Sequence, residues 1–213
     1  MELLVVGLSH HTAPLALRER LALLPDEVPR ALGGLVDRGG LAEALVLSTC
    51  NRTEIYGRAR NGRGTRDVAA VLESLRPGVA GALRDHGYAK GGDDALGHLF
   101  RVVSGLESMV VGEHEIAGQA RALLPRAVPR ALQIGRRVRT ETSLSRGIAS
   151  VAGAAVGLVE RVFRDPATCR VTAVGAGETI TTALRALRGR GRGPLTVLNR
   201  TVARAEALAT ELG

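Results

Sequence analysis

Two short apolar runs, each emptying into a polar turn, constrain this chain most. Residues 3–8 (LLVVGL) read as a buried strand that runs into Ser9-His10-His11-Thr12-Ala13-Pro14. Residues 41–47, with Glu43 as their only charge, run into Ser48-Thr49-Cys50-Asn51-Arg52-Thr53-Glu54. Between the runs lie two helical repeats. Pro14 opens the first, which the apolar positions Leu15, Leu17, Leu21 and Leu24 carry through Leu24. Asp26 is placed to cap the second, where Val28, Ala31, Leu32, Leu35 and Val36 keep helical spacing until Gly39-Gly40. A strand over 42–47 and another over 55–59 form a hairpin-like pair around Cys50. Asn61-Gly62-Arg63-Gly64 then makes a turn, and Val68, Val71, Leu72 and Leu75 mark the helix after it. Strand, helices, strand, strand, helix is an α/β sandwich pattern rather than that of a bundle.

The Cys50 turn gathers a thiol, hydroxyls, a carboxamide, a guanidinium and a carboxylate. If the backbone there is extended, Cys50, Arg52 and Glu54 project to one face and Thr49, Asn51 and Thr53 to the other. A guanidinium nearby favours the thiolate, which is the form that attacks carbonyls. The plainer reading is a structural cysteine in a polar turn at a strand end. Only one other cysteine, Cys169, is present, and neither has metal-ligand spacing, so no zinc site is expected. The adjacent His10 and His11 could bind metal, but neighbours on a loop point apart, and a solvated or hydrogen-bonded role competes.

Composition narrows the class. With 45% hydrophobic but only 2% aromatic residues, the 213-residue chain must build its cores from Leu, Val and Ala. Its net charge is +8 and Lys90 is the only lysine, so the positive charge is almost all arginine, which suits a polyanionic partner. Absence of a secretory signal or a membrane-length apolar run, with cysteines few and far apart, argues for a reduced, cytoplasmic setting.

Farther along, Asp93 or Asp94 caps a helix with the apolar stripe Leu96, Leu99, Phe100 and Val103, leaving His98 off the stripe and unexplained by packing. Residues 104–119, with three glycines among short polar residues and glutamates, read as a loop that approaches a ligand. Between Arg121 and Arg146 seven arginines face one acid, Glu141. Pro125 and Pro129 argue against a continuous helix before Arg130, after which Arg136, Arg137 and Arg139 share one; the run is either a solvated face or a contact for RNA phosphate. Residues 147–163 form a long amphipathic helix that Asp165-Pro166 breaks. A strand at 170–174, the turn Gly175-Ala176-Gly177, a helix at 178–187 and a strand at 195–198 then open a dinucleotide-binding unit. Asn199 lies 24 positions after Gly175, where the ribose-reading residue belongs, and Arg200 without an acid suits the 2′-phosphate of NADP.

Taken together, GLSHHTAP (7–14), STCNRTEIY (48–56), HLFRVVSGLESMVVGE (98–113), GRRVRTET (135–142), VGAGE and LNRT resemble glutamyl-tRNA reductase over nearly the whole chain. The resemblance implies a family whose members reduce glutamyl-tRNA(Glu) with NADPH to glutamate-1-semialdehyde, the first committed step of tetrapyrrole (porphyrin) biosynthesis. It implies that Cys50 is the nucleophile that takes the aminoacyl group as a thioester, with His98 in an acid/base or positioning role. Thr49, Asn51, Arg52, Ser108, Glu113, His114, Glu115 and Gln119 match substrate contacts, Arg52 as a planar fork on the glutamate carboxylate. Gly175, Ala176, Gly177, Glu178, Thr179, Ile180, Asn199, Arg200 and Thr201 match the cofactor segment. The expected organisation is an N-terminal α/β sandwich catalytic and tRNA-binding domain (1–146), a linking helix (147–164) and the start of a Rossmann-type NADP-binding domain (165–213).

There are departures from the family pattern. His114-Glu115 replaces the usual Pro-Gln, the stretch between Gln119 and Gly135 is short, and Ile180 takes the third glycine's place. Only two strands of a nucleotide-binding sheet are present, and the region through which the family dimerises is expected to be missing. Two alternatives therefore stand beside the reductase: a protein that binds tRNA or a partner without reducing anything, and an esterase in which water releases the glutamyl group from Cys50.

Overall fold

The computed structural model describes residues 2–60, 64–76, 79, 81–111, 121–122, 127–145, 151–163, 168–189 and 194–213. The chain divides into two compact units, Met1–Leu144 and Ser145–Gly213.

The first unit is built on a five-stranded antiparallel sheet. Its strands are β1 (Leu3–Ser9), β2 (Leu41–Ser48), β3 (Arg52–Ala59), β4 (Tyr88–Gly91) and β5 (Arg121–Ala122), in the spatial order β4-β1-β3-β2-β5. Helices cover both faces. On one side Leu4, Val6, Leu8, Val46 and Ile55 pack against α1 (Leu15–Leu21), α2 (Val28–Asp37), α3 (Gly64–Ser74) and α4 (Ala82–His86). On the other, Val5, Leu45 and Tyr56 meet Ala95, Leu99 and Val103 of α5 (Gly92–Val103) and Ala131 of α6 (Ala127–Glu141). Successive strand residues feed opposite cores because side chains alternate across a strand. The α/β architecture read from the sequence is the one observed, as three layers.

Several local expectations change. The helix after Pro14 stops at Leu21 instead of Leu24, because the Leu23 N–H leaves it to donate to Ser48 Oγ (2.8 Å) and the Leu23 side chain turns into the core. Glu27, not Asp26, sits at the start of α2. Its carboxylate accepts the Leu24 N–H (2.7 Å) and pairs with Arg76. Gly91 precedes α5, and Asp93 and Asp94 lie inside its first turn, where negative charge complements the helix dipole without a side-chain cap. Pro129 does not delay α6, since it falls in the first turn, where a missing N–H breaks no intrahelical bond. Arg136, Arg137 and Arg139 do share that helix. Residues 61–63 of the expected turn lie outside the described residues.

In the second unit β6 (Val171–Val174) and β7 (Leu195–Leu198) pair in parallel, flanked by α7 (Val151–Val162), α8 (Glu178–Gly189) and α9 (Val202–Leu212). Val156, Ala173, Leu184, Leu187 and Leu208 form its core. Thr172 and Val174 of β6, with Thr196 and Leu198 of β7, alternate away from that core, and Val174 and Leu198 are exposed.

Candidate active site

Cys50 does not lie on an extended strand. Ser48 and Thr53 are the last paired residues of the hairpin, and the chain reverses through Thr49, Cys50, Asn51 and Arg52. The Thr49 N–H donates to the Arg52 carbonyl (2.8 Å), while Thr49 Oγ1 accepts the N–H groups of Asn51 (3.1 Å) and Arg52 (3.2 Å). A threonine hydroxyl thus closes the turn, a role suited to its short side chain. The result leaves Cys50 exposed at the tip and removes it from the face shared by Arg52 and Glu54.

The tip is pinned from outside. The His10 N–H donates to the Asn51 carbonyl (2.8 Å), and Arg18 Nη1 of α1 donates to the Cys50 carbonyl. The rings of His10 and His11 lie tilted by 39° with centroids 3.9 Å apart, and His11 Nε2 lies 3.8 Å from Glu107. Burial, and then the charges of His11, Arg52 and Arg18, hold the His10 pKa below its ordinary value. Among the described residues no group of three or more His, Cys, Asp or Glu could hold a metal.

Beneath the tip is a polar network that the sequence reading missed. Arg52, Glu54 and Tyr56 alternate along β3 on the α5 side of the sheet. Glu54 is completely buried and receives four donors: Arg52 Nη1 (2.9 Å), His98 Nε2 (2.9 Å) and the Tyr88 hydroxyl on Oε1, and the Tyr56 hydroxyl (2.8 Å) on Oε2. Burial pushes the Glu54 pKa up, but the His98 bond, the Arg52 charge and the other donors outweigh it, leaving the carboxyl below its usual range. Burial likewise opposes the Arg52 charge, and Glu54 outweighs it. Burial, and then the Glu54 charge, raise both tyrosine hydroxyls above theirs.

Register explains how Tyr88 reaches across two strands. Tyr88 of β4 and Glu54 of β3 both pair with Gly7 of β1. A Cβ at Gly7 would lie 2.4 Å from the Thr53 carbonyl oxygen and 2.9 Å from Glu54 Cγ, so only glycine leaves the space. The alternation Arg52, Glu54, Tyr56 opposite a glycine was the available signal for this network.

His98 is a correction. It lies on the buried stripe of α5 with Ala95, Leu99, Val102 and Val103, not off it, and the Glu54 carboxylate satisfies its ring. Arg52 is a second correction. Its terminal nitrogens are held by Glu54 and by the Glu107 carbonyl, so the fork is closed inside the protein, not open to a substrate carboxylate. Its Nε, and the Oγ of the buried Ser108 next to Glu107, have no hydrogen-bond partner among the described residues. Thr49, Cys50, Asn51 and Arg52 share the turn, Arg52 and His98 share Glu54, and Arg52 reaches the segment carrying Ser108. Glu113, His114, Glu115 and Gln119 lie outside the described residues.

In the second unit Gly175 adopts a φ of +111°, a region that glycine enters without strain, and its N–H donates to the Leu198 carbonyl (2.7 Å). Ala176 and Gly177 complete the turn into α8, whose first residues are Glu178, Thr179 and Ile180. A Cβ on Gly177 would meet nothing within 4 Å. At the end of β7, Asn199 Nδ2 donates to the Thr201 carbonyl (2.8 Å), and Arg200 is exposed.

Comparison with known proteins places the chain in a family. Residues 6–142 match the family described as glutamyl-tRNA(Glu) reductase, N-terminal domain, and residues 157–213 match shikimate/quinate 5-dehydrogenase. The chain is 39% identical to the glutamyl-tRNA reductase of Syntrophotalea carbinolica over 100% of this chain and 51% of that one. It is 43% identical to that of Myxococcus xanthus, over 100% of this chain and 50% of the other. The solved structure of glutamyl-tRNA reductase from Methanopyrus kandleri superposes with a TM-score of 0.61 at 37% identity, covering 99% of this chain and 52% of that one. The chain therefore spans about half the length of these relatives. On a match across most of the first unit and whole-chain similarity to named members, the chain belongs to the glutamyl-tRNA reductase family.

Proposed function

We propose that the chain takes the glutamyl group of glutamyl-tRNA(Glu) onto Cys50 as a thioester, the first half of an NADPH-dependent reduction to glutamate-1-semialdehyde that feeds tetrapyrrole synthesis. The observation that carries this reading is an exposed thiol on a pinned turn, directly after a strand and before a buried Arg52–Glu54–His98 network. The Cys50 thiolate attacks the ester carbonyl carbon, the S–C bond forms, and the bond to the terminal ribose oxygen of the tRNA breaks. That oxygen leaves as the ribose hydroxyl after taking a proton from solvent. Thr49 and Asn51 shape the turn, and Arg52, its terminal nitrogens already held by Glu54 and the Glu107 carbonyl, is assigned a positioning role. Ser108 Oγ, a buried polar atom in want of a partner, is assigned to the substrate. Glu113, His114, Glu115 and Gln119 are assigned there too, on family likeness. His98 Nε2 is committed to Glu54, so any proton it exchanges with substrate passes through its other ring nitrogen.

The working division is 1–146 for catalysis and tRNA binding, 147–164 as a linking helix and 165–213 as part of an NADP-binding domain. The open turn at Gly175, Ala176 and Gly177 and the first turn of α8, at Glu178, Thr179 and Ile180, fit a pyrophosphate at a helix N-terminus. Asn199, Arg200 and Thr201 would meet the ribose and its 2′-phosphate. When bound, NADPH supplies the hydride that reduces the acyl group.

The test is incubation with glutamyl-tRNA labelled in its amino acid. A label that survives denaturation, is released by hydroxylamine and is lost in Cys50→Ser supports the reading. An unlabelled chain overturns it. Semialdehyde formed on adding NADPH identifies a reductase and Cys50-dependent free glutamate an esterase. Retention of tRNA with no covalent label identifies a binding protein.

A further inference from the structure

Arg18 occupies an unusual position beside the Cys50 turn. Its Nη1 donates to the carbonyl of Cys50 itself, and its Nε donates to the Ala13 carbonyl (3.2 Å) at the start of α1. Two backbone acceptors therefore hold a guanidinium whose charge they do not cancel. No carboxylate pairs with Arg18 among the described residues, whereas the other charges near the tip are balanced. Arg52 is neutralised by Glu54 at 2.9 Å, and Glu107 is shared by Arg101 (2.8 Å) and His11 (3.8 Å). The titratable and charged groups around the tip among the described residues are Arg18 from α1, His10 and His11 from the turn after β1, Arg52 from β3 and Glu107 from the segment after α5. Of these, Arg18 is the one permanent cation left with net charge next to the thiol's own residue.

We infer that Arg18 activates Cys50: its fixed, unneutralised guanidinium favours the thiolate over the thiol and so enlarges the fraction ready to attack an acyl ester. The proton leaves the sulfur for solvent, and the guanidinium keeps its own. This inference rests on the reading of Cys50 as a nucleophile, yet it concerns the thiol before any substrate arrives. The guanidinium is hydrogen-bonded to the cysteine's own carbonyl, and a unit charge about 6 Å from a thiol in a largely aqueous setting lowers its pKa by about 0.5–1 unit.

The experiment follows iodoacetamide alkylation of Cys50 as a function of pH, read by peptide-resolved mass spectrometry so that Cys169 is scored separately. Arg18→Gln is expected to move the midpoint up by about 0.5–1 pH unit, and Arg18→Lys, which keeps the charge, to hold it near the wild-type value. A midpoint unmoved in Arg18→Gln overturns the inference. So does an equal upward shift in both variants, because the effect would then come from the shape of the fork instead of its charge. Should Arg18→Gln fail to fold, the unmodified chain gives the answer. Raising the salt concentration screens the guanidinium and should raise the midpoint, and a salt-independent midpoint overturns the inference. Failure of glutamyl transfer with the Arg18 shift intact would refute the acyl-transfer reading alone.

Discussion

Replacing Glu54 with glutamine tests the buried network most directly. The substitution keeps the size of the side chain and one acceptor oxygen but deletes the charge that Arg52, His98, Tyr56 and Tyr88 surround. Arg52, whose side chain is completely buried, then loses its counter-ion. Removing one partner of a buried ion pair costs about 3–5 kcal/mol, because the remaining charge stays desolvated. For a protein of this size each kcal/mol lowers the melting temperature by about 2–4 °C, so Glu54→Gln should melt roughly 6–20 °C below the wild type. The chain has no tryptophan, and its two tyrosines both donate to Glu54, so tyrosine emission reports on this network and on nothing in the second unit. The effect should also depend on pH. Because the native Glu54 pKa is depressed, its contribution is full above the unfolded value, about 4.3, and is lost as pH falls through the lower native value. The wild type and variant should therefore converge in acid. A loss below about 1 kcal/mol with unchanged tyrosine emission would refute the idea that the carboxylate holds Arg52 and His98 in place.

Three further outcomes are expected. In a spectrophotometric titration neither tyrosine should ionise near pH 10 while the protein is folded, since burial and then Glu54 raise both pKa values; tyrosinate absorbance should appear only on unfolding. Gly7→Ala should destabilise the first unit by about 1–3 kcal/mol in denaturant titration, because its methyl would sit against the Thr53 carbonyl and push Glu54 away from Tyr88. On α6 the arginines should separate by role. Arg130 and Arg136 are exposed, and changing both to alanine should weaken tRNA binding and flatten its salt dependence; Arg137 pairs with Glu141, and Arg139 donates to the Val103 carbonyl, so Arg139→Ala should cost stability instead.

The sequence exposed the parts of the fold that rest on repeating hydrophobicity. The strands carrying Val6, Val46 and Ile55 and the helices carrying Ala31, Leu35, Val68 and Leu72 follow from spacing alone. The short β4 and α4 carry too few apolar residues to show a period, and β4 is recognisable only once Tyr88 is seen opposite Gly7. His98 was set off its helix stripe because the stripe was drawn from hydrophobic residues. A histidine whose ring a buried carboxylate satisfies belongs to the core as fully as a leucine. The hairpin with Cys50 in its loop was legible from the two strands. The shared face of Cys50, Arg52 and Glu54, conditional on extended backbone, is not formed because the chain turns through 49–52, with Thr49 Oγ1 accepting two N–H groups. Arg52 looked like a residue waiting for a ligand, but its partner was two positions away in its own strand.

The pinning of the hairpin tip also bears on how an acyl donor must arrive. The main-chain oxygens of Cys50 and of the residue after it are already engaged, one by Arg18 and the other by the His10 N–H. These two bonds restrain the backbone of the turn and leave the exposed thiol only its own side-chain rotation with which to meet an ester. On the acyl-transfer reading proposed above, the travelling component is the aminoacylated end of the tRNA, and selectivity falls on whatever steers that end to the turn.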